Sequence, residues 1–288
     1  MDTARLETVD DNVELEYEVT GSGEPVLFIS PVLADGFAPL RDEPALADYR
    51  LITYHKRGWV GSTHTPPPVT VADHAADAAA LLDHLGIGRA HVAGHSSGAA
   101  IALELALARP SHVHSLVLLE PSLLSVPSAA KLLGAATPAF EAYADGDHES
   151  AVAGFLSVVS GLDWARCRAV LDDRIPGAVE SAVQDADTFF GVELPALGDW
   201  AFAAARAAGV TQPALSVVGA DTEPLWVEVA ERLSAWMPDV DECTIDGAGH
   251  LLHLQQPAAV AAAIGAFLRR HPMEDARSSR RPLAGRST

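Results

Sequence analysis

Cysteine is scarce: the 288-residue chain holds two, Cys167 and Cys243, too few for a disulfide framework and in no metal-binding spacing. Both read as free thiols, which points to a reducing cytoplasm and calls for no structural metal. Long apolar runs are missing as well. The Ala-rich stretches are broken by Asp, His or Arg, so no segment reaches the roughly 20 residues of a membrane span. Met1 to Thr8 carries acids and no apolar centre, so no secretory leader is expected. Basic residues are outnumbered, 19 Lys and Arg against 39 Asp and Glu, for a formal net charge of −20. Such a surface repels polyanions, which excludes nucleic acid and anionic membranes as expected partners and favours solubility. The remainder is ordinary globular composition, 49% apolar and 20% charged. That suffices for one large domain, or for a core carrying an inserted subdomain.

Periodicity organises the chain. Residues Leu6 to Thr20 alternate, with Val13, Leu15, Tyr17 and Val19 on one face, and read as an antiparallel strand. After Gly21-Ser22-Gly23 comes a short apolar run from Pro25 to Ile29. Similar runs recur at Arg50 to Tyr54, Ala90 to Ala93, His114 to Leu119, Ala214 to Val218 and Asp241 to Ile245. Short runs without alternation suit strands buried on both faces of a parallel sheet. Between them lie helical patterns: in Val71 to Leu85, Ala75, Ala79, Leu82 and Leu85 form a stripe, with Asp77 and Asp83 off it. Strand and helix in alternation predict an α/β sandwich around a mostly parallel sheet. From Pro121 to about Arg206 the pattern is helical only, with breaks near Pro127, Gly146, Gly161 and Pro176. A stretch that long must hold structure of its own, and it reads as a helical cap over one end of the sheet. The expected division is a core over 1–120 and 207–271, a cap over 121–206 and a disordered Arg-rich tail over 272–288.

The chemistry starts at Gly94-His95-Ser96-Ser97-Gly98. A lone Gly-x-Ser-x-Gly arises by chance in about one chain in ten of this length. Here it follows the strand run Ala90 to Ala93 and opens the helical run Ala99 to Ala108, the strand–turn–helix setting of a nucleophile elbow. A serine hydroxyl needs a base to react at neutral pH. Of 12 histidines His250 is the leading candidate, in Gly247-Ala248-Gly249-His250 between the last strand run and the helix from Pro257. His253, among Leu251, Leu252 and Leu254, reads as packed, and His95 as pointing away from the nucleophile on the tight turn.

The elbow, the late Gly-x-Gly-His and the segment Tyr54-His55-Lys56-Arg57-Gly58-Trp59-x-Gly61-Ser62 together resemble the α/β-hydrolase superfamily over roughly residues 12 to 270. The resemblance implies an eight-stranded, mostly parallel sheet flanked by helices, a cap after the sixth strand, and a triad in the order Ser, acid, His. The family's common acid is an Asp after the seventh strand. Here Thr222 stands at that position in Val217-Val218-Gly219-Ala220-Asp221-Thr222, with Asp221 one residue early. The family's other location is the end of the sixth strand, where Leu118-Leu119-Glu120-Pro121 stands. A carboxylate ending an apolar strand needs a partner, so Glu120 is favoured and Asp221 is the alternative. A capping role at the cap's entrance is the plainer reading of Glu120. With Gly-x-Ser-Ser-Gly-Ala at the elbow, the pattern is similar to zearalenone lactonases.

That resemblance implies acyl transfer from an ester or lactone to water, with no cofactor and no metal, on an apolar small-molecule substrate. The oxyanion would be held by the Ser97 amide and, after Ser30-Pro31, by the Val32 amide. Candidates for the substrate cavity are Leu33, Phe37, Trp164, Phe189, Phe190, Leu194 and Trp200. Asp35-Gly36 reads as a turn. Hydrolysis of C–C bonds in β-diketones and low-turnover ligand binding stay open, as does a homodimer.

Overall fold

The computed structural model describes residues 2–7 and 12–273. The expectation for 272–288 falls, from residue 274 on, outside the described residues. Eight strands form one sheet in the order β1-β2-β4-β3-β5-β6-β7-β8. They are β1 (Asp2–Glu7), β2 (Asn12–Gly21), β3 (Glu24–Ile29), β4 (Tyr49–Tyr54), β5 (Ala90–His95), β6 (Val113–Leu119), β7 (Ala214–Gly219) and β8 (Val240–Ile245). β1 and β2 pair antiparallel, as do β2 and β4, and every other pairing is parallel. The alternation read as one strand from Leu6 is thus divided between two antiparallel strands, β1 and β2.

The short apolar runs behave as expected of strands covered on both sides. Leu27, Ile29, Leu116 and Leu118 face one core, which α1 (Val71–His84) and α2 (Ser97–Ala108) cover. Their neighbours Val26, Phe28, Val117 and Leu119 face the other, under α13 (Pro257–Arg270). β8 departs from this, for as the edge strand it keeps several residues exposed. Helix α1 begins at a reciprocal cap in which the Thr70 side chain accepts from the Asp73 N–H and the Asp73 side chain from Thr70. Asp77, read as lying off its buried stripe, is in fact 1% exposed and paired with Arg57.

Between β6 and β7 the chain runs through α3 (Ala129–Ala135), α4 (Thr137–Ala144), α5 (His148–Ser160), α6 (Trp164–Arg174), α7 (Ala178–Gln184) and α8 (Ala186–Thr188). A π turn (Phe189–Glu193), α9 (Leu194–Asp199) and α10 (Ala204–Ala207) follow. The sequence breaks fall at its joints: Gly146 lies between α4 and α5, Gly161 ends α5 with a left-handed φ of 68°, and Pro176 separates α6 from α7. After β7 come α11 (Pro224–Trp236) and, beyond β8, the short α12 (Leu252–Gln255). No helix among the described residues is long and apolar enough to cross a membrane.

Candidate active site

At the carboxyl end of β5 the chain turns sharply at Ser96, with φ 55° and ψ −118°, and enters α2 at Ser97. A left-handed φ on a non-glycine residue is strained and persists only where neighbours enforce it. They do so closely. A Cβ on Gly94 would stand 2.4 Å from the Gly98 oxygen, and one on Gly98 would stand 2.0 Å from the Ile29 oxygen. Both motif glycines are therefore steric necessities. The same contact seats the start of α2 against the loop after β3. The Ser96 N–H is spent on the Leu119 oxygen at 2.9 Å, whereas Ser97, opening the helix, has no carbonyl four residues back to serve.

His250 follows β8 on the loop Asp246–Gly249, where the Gly249 N–H donates to Gln255 at 2.9 Å. The His250 ring reaches two of the predicted partners. Its Nδ1–H donates to Glu120 Oε2 at 2.6 Å, and its Nε2 faces Ser96 Oγ at 3.2 Å. With Nδ1 committed to a carboxylate, the Nε2 lone pair is the one turned to the serine. Glu120 is fully buried and, like Ser96, strained, with φ 43°. Its Oε1 accepts from the Gly219 N–H at 2.8 Å, and its Oε2 also accepts from the Thr222 hydroxyl at 2.9 Å. Thr222, the residue that departs from the common family pattern, thus supplies a donor to the carboxylate at the other strand end. Asp221 is exposed, and its backbone N–H bonds the Ala248 oxygen.

Burial pushes the Glu120 carboxyl up, while the Gly219 N–H and the Thr222 hydroxyl favour its ionised form, as does the His250 N–H at 2.6 Å. Burial likewise pushes the His250 imidazole down, to about 3. The imidazole is therefore held neutral, the form able to take a proton from a hydroxyl.

Three neighbours of this constellation escaped the sequence reading. Trp226 of α11 stacks flat on the His250 ring, 3.8 Å between centroids and 5° between planes. Its signal was absent, because nothing in the α11 periodicity says that this indole meets a histidine. His95, expected to point elsewhere than Ser96, turns to His250: it packs 4.5 Å from that ring and donates from Nε2 to the His250 carbonyl at 2.8 Å. Ser122, on the turn after Glu120, lies with Oγ 3.0 Å from Ser96 Oγ. His253 packs on His95 as a buried side chain, in line with its apolar neighbours.

Ser96, Ser97, Ser122, His95 and His250 form the polar end of a cavity that is otherwise apolar. Leucines dominate its walls, joined by Phe155, Phe189 and Trp226, and among the described residues no Lys, Arg, Asp or Glu lines it. Of the predicted residues, Val32, Leu33, Phe189 and Leu194 line this cavity, and Phe37, Trp164, Phe190 and Trp200 do not. Phe37 packs behind the site, between Phe28 and His253. Phe190, also buried, stacks on Tyr143. Trp200 stacks on Phe202 and donates to Glu104 at 2.8 Å. Trp164 opens α6 and packs against the hydrophobic core from its edge. Adjacent aromatics on one helical segment point to different sides, so composition alone could not sort them.

The Tyr54–Ser62 segment fastens the inserted helices to the core. Lys56 Nζ pairs with Glu193 of the π turn at 2.7 Å, and Trp59 Nε1 donates to the same carboxylate at 2.9 Å. Lys56 and Glu193 are each 2% exposed. Arg57 meets Asp77 of α1 through two bonds of 2.6 Å. Asp35 is more than a turn residue, accepting from His55 Nε2 at 3.4 Å. Cys167 and Cys243 are free thiols.

Comparison with known proteins places this geometry. The provisionally named carbamate hydrolase RutD of Azorhizobium caulinodans is 36% identical over 108 residues, covering 37% of this chain and 41% of that protein. The chain aligns with about two fifths of the length of the curated relatives it first matches. A thermophilic esterase from Thermogutta terrifontis superposes with a TM-score of 0.76 at 22% identity, covering 94% of this chain and 99% of the esterase. The enol-lactonase from Burkholderia xenovorans gives 0.74 at 19% identity, covering 93% and 100%. At such identities the likeness is one of fold. A family model described as the alpha/beta hydrolase fold matches residues 26–257, and the chain belongs to that family.

Proposed function

We propose that this protein is a serine hydrolase that cleaves a carboxylic ester or lactone through an acyl-enzyme on Ser96, with His250 as general base and Glu120 as the triad acid. The observation that carries the reading is the unbroken path of hydrogen bonds from Glu120 through His250 to Ser96, 2.6 and 3.2 Å, at the floor of an apolar cavity. In the first half-reaction Ser96 Oγ attacks the carbonyl carbon while its proton passes to His250 Nε2. Glu120 holds the ring and stabilises the imidazolium as it forms. The amides of Val32 and Ser97 receive the oxyanion; both residues line the cavity beside Ser96, which supports that assignment. His250 then gives the proton to the leaving alcohol. Water repeats the sequence and frees the acid.

The lining supports an uncharged, hydrophobic substrate, since a charged one would leave its charge desolvated and unpaired. Glu120 after β6, together with Thr222 in place of the common Asp, supports a lactone of the zearalenone kind as the finer reading. Two free thiols support a cytoplasmic location. The test is a panel of uncharged esters and lactones, zearalenone included, read by mass spectrometry for the wild type and Ser96→Ala. Ser96-dependent ring opening or ester cleavage is expected. Turnover that persists in Ser96→Ala would end the reading.

A further inference from the structure

Ser122 holds the nucleophile at both ends. Its N–H donates to the Ser96 carbonyl at 3.1 Å, and its Oγ stands 3.0 Å from Ser96 Oγ. It is 5% exposed and lines the cavity. It also sits two residues beyond Glu120, whose strained φ of 43° starts the turn that delivers both groups. The direction of the hydroxyl bond follows from the rest of the site. His250 Nδ1–H is committed to Glu120, so Nε2 must accept, and the Ser96 proton points there. Ser122 is then the donor, and Ser96 Oγ accepts.

Resting on the acyl-enzyme reading above, we infer that Ser122 is a further catalytic group, a hydrogen-bond donor to Ser96 Oγ that acts mainly in deacylation. The asymmetry comes from the ground states. In the free enzyme the bond is already made, so it adds nothing to the acylation transition state. In the acyl-enzyme Oγ is an ester oxygen, a weak acceptor, and the bond is largely lost. During deacylation water adds to the acyl carbon and gives a proton to His250 Nε2. The C–Oγ bond then breaks, and its electron pair returns to Oγ, which takes back the proton from His250. The Ser122 hydroxyl recovers its acceptor as that charge develops, with no proton transfer of its own. The preference is thus gained between ground state and transition state, where it counts.

Ser122→Ala keeps the backbone bond and removes only the hydroxyl. Stopped-flow with p-nitrophenyl butyrate separates the two steps, the burst reporting acylation and the steady state deacylation. In Ser122→Ala the burst rate should stay within about threefold of wild type while the steady-state rate falls about tenfold and KM falls with it. Intact-mass spectra during turnover should show more butyrylated enzyme, and Ser122→Thr should restore part of the steady-state rate. Equal losses in both phases with no accumulated adduct would overturn the inference, as would an unchanged steady state. Ser96→Ala serves as the separate control: if it still releases p-nitrophenol at the wild-type rate, the acyl-enzyme reading itself fails, whatever Ser122 does.

Discussion

Glu120 directly follows the buried apolar run Leu116 to Leu119 of β6, and the cost of placing a carboxylate there is met by donors from Gly219, Thr222 and His250. Removing the charge while keeping the shape tests what the third donor gains from it. Glu120→Gln should lower kcat by about a thousandfold or more, since an amide leaves the imidazole without its counter-charge and can select the wrong tautomer. Asp221→Asn should stay within about threefold of wild type, because its carboxylate is exposed and Glu120 makes the contact with His250. The pH profile belongs to this scale too. Catalysis needs the neutral imidazole, and burial lowers the proton affinity of His250. Activity should therefore fade only as pH drops below the ordinary histidine range, with the acid limb of kcat/KM centred below about 6.5. A limb centred above 7 would contradict the burial argument.

Two elements meet at the elbow, and their closeness makes Gly98 the most sensitive position of the turn. Gly98→Ala puts a methyl 2.0 Å from the Ile29 oxygen, a backbone atom held in β3. It should leave little folded, active protein, measured as soluble yield and esterase rate. The inserted helices hang on a different contact. Glu193→Gln leaves Lys56 buried without its counter-charge and should cost about 3–5 kcal/mol in urea unfolding. Replacing the pair together by Met and Leu should recover only part of that loss, because the buried Trp59 N–H then has no acceptor. Local patterns made part of this legible. The run-turn-helix around Ser96, the late glycine loop before His250 and an acid capping an apolar strand can each be recognised from neighbours in sequence. The rest depends on which way a side chain points once elements pack. Phe189 faces the cavity and Phe190 faces Tyr143, although they are adjacent. Trp226 and Ser122 reach the site from α11 and from the turn after β6, contacts between segments far apart in the chain. The antiparallel pairing of β1 with β2 was hidden because the alternation from Leu6 onward reads as a single strand.

For the molecule as a whole, buried histidines set the response to acid. His74, His91, His95, His250 and His253 are each at most 3% exposed. Burial lowers all of them, His74 and His91 to about 4 and His250 to about 3. Below about pH 6.5 the unfolded chain binds protons at these sites and the folded chain does not. Stability should then fall as pH drops from about 6.5 towards 4, each site adding up to ~1.4 kcal/mol per pH unit. Glu120, raised by burial, and His55, raised against its own burial by Asp35 and Glu16, act in the opposite sense, two groups against five. The urea midpoint should therefore decline steadily between pH 7 and 4.5. A midpoint that holds constant across that window would show that the folded chain protonates these rings without penalty.

Whether Ser96 is a base-activated nucleophile can be read directly with a fluorophosphonate, which reacts irreversibly with such serines, followed by peptide mapping. The wild type should carry the adduct on the peptide containing Ser96, and His250→Ala should label at least about a hundredfold more slowly. Labelling on another residue, or at an undiminished rate without the imidazole, would contradict the account.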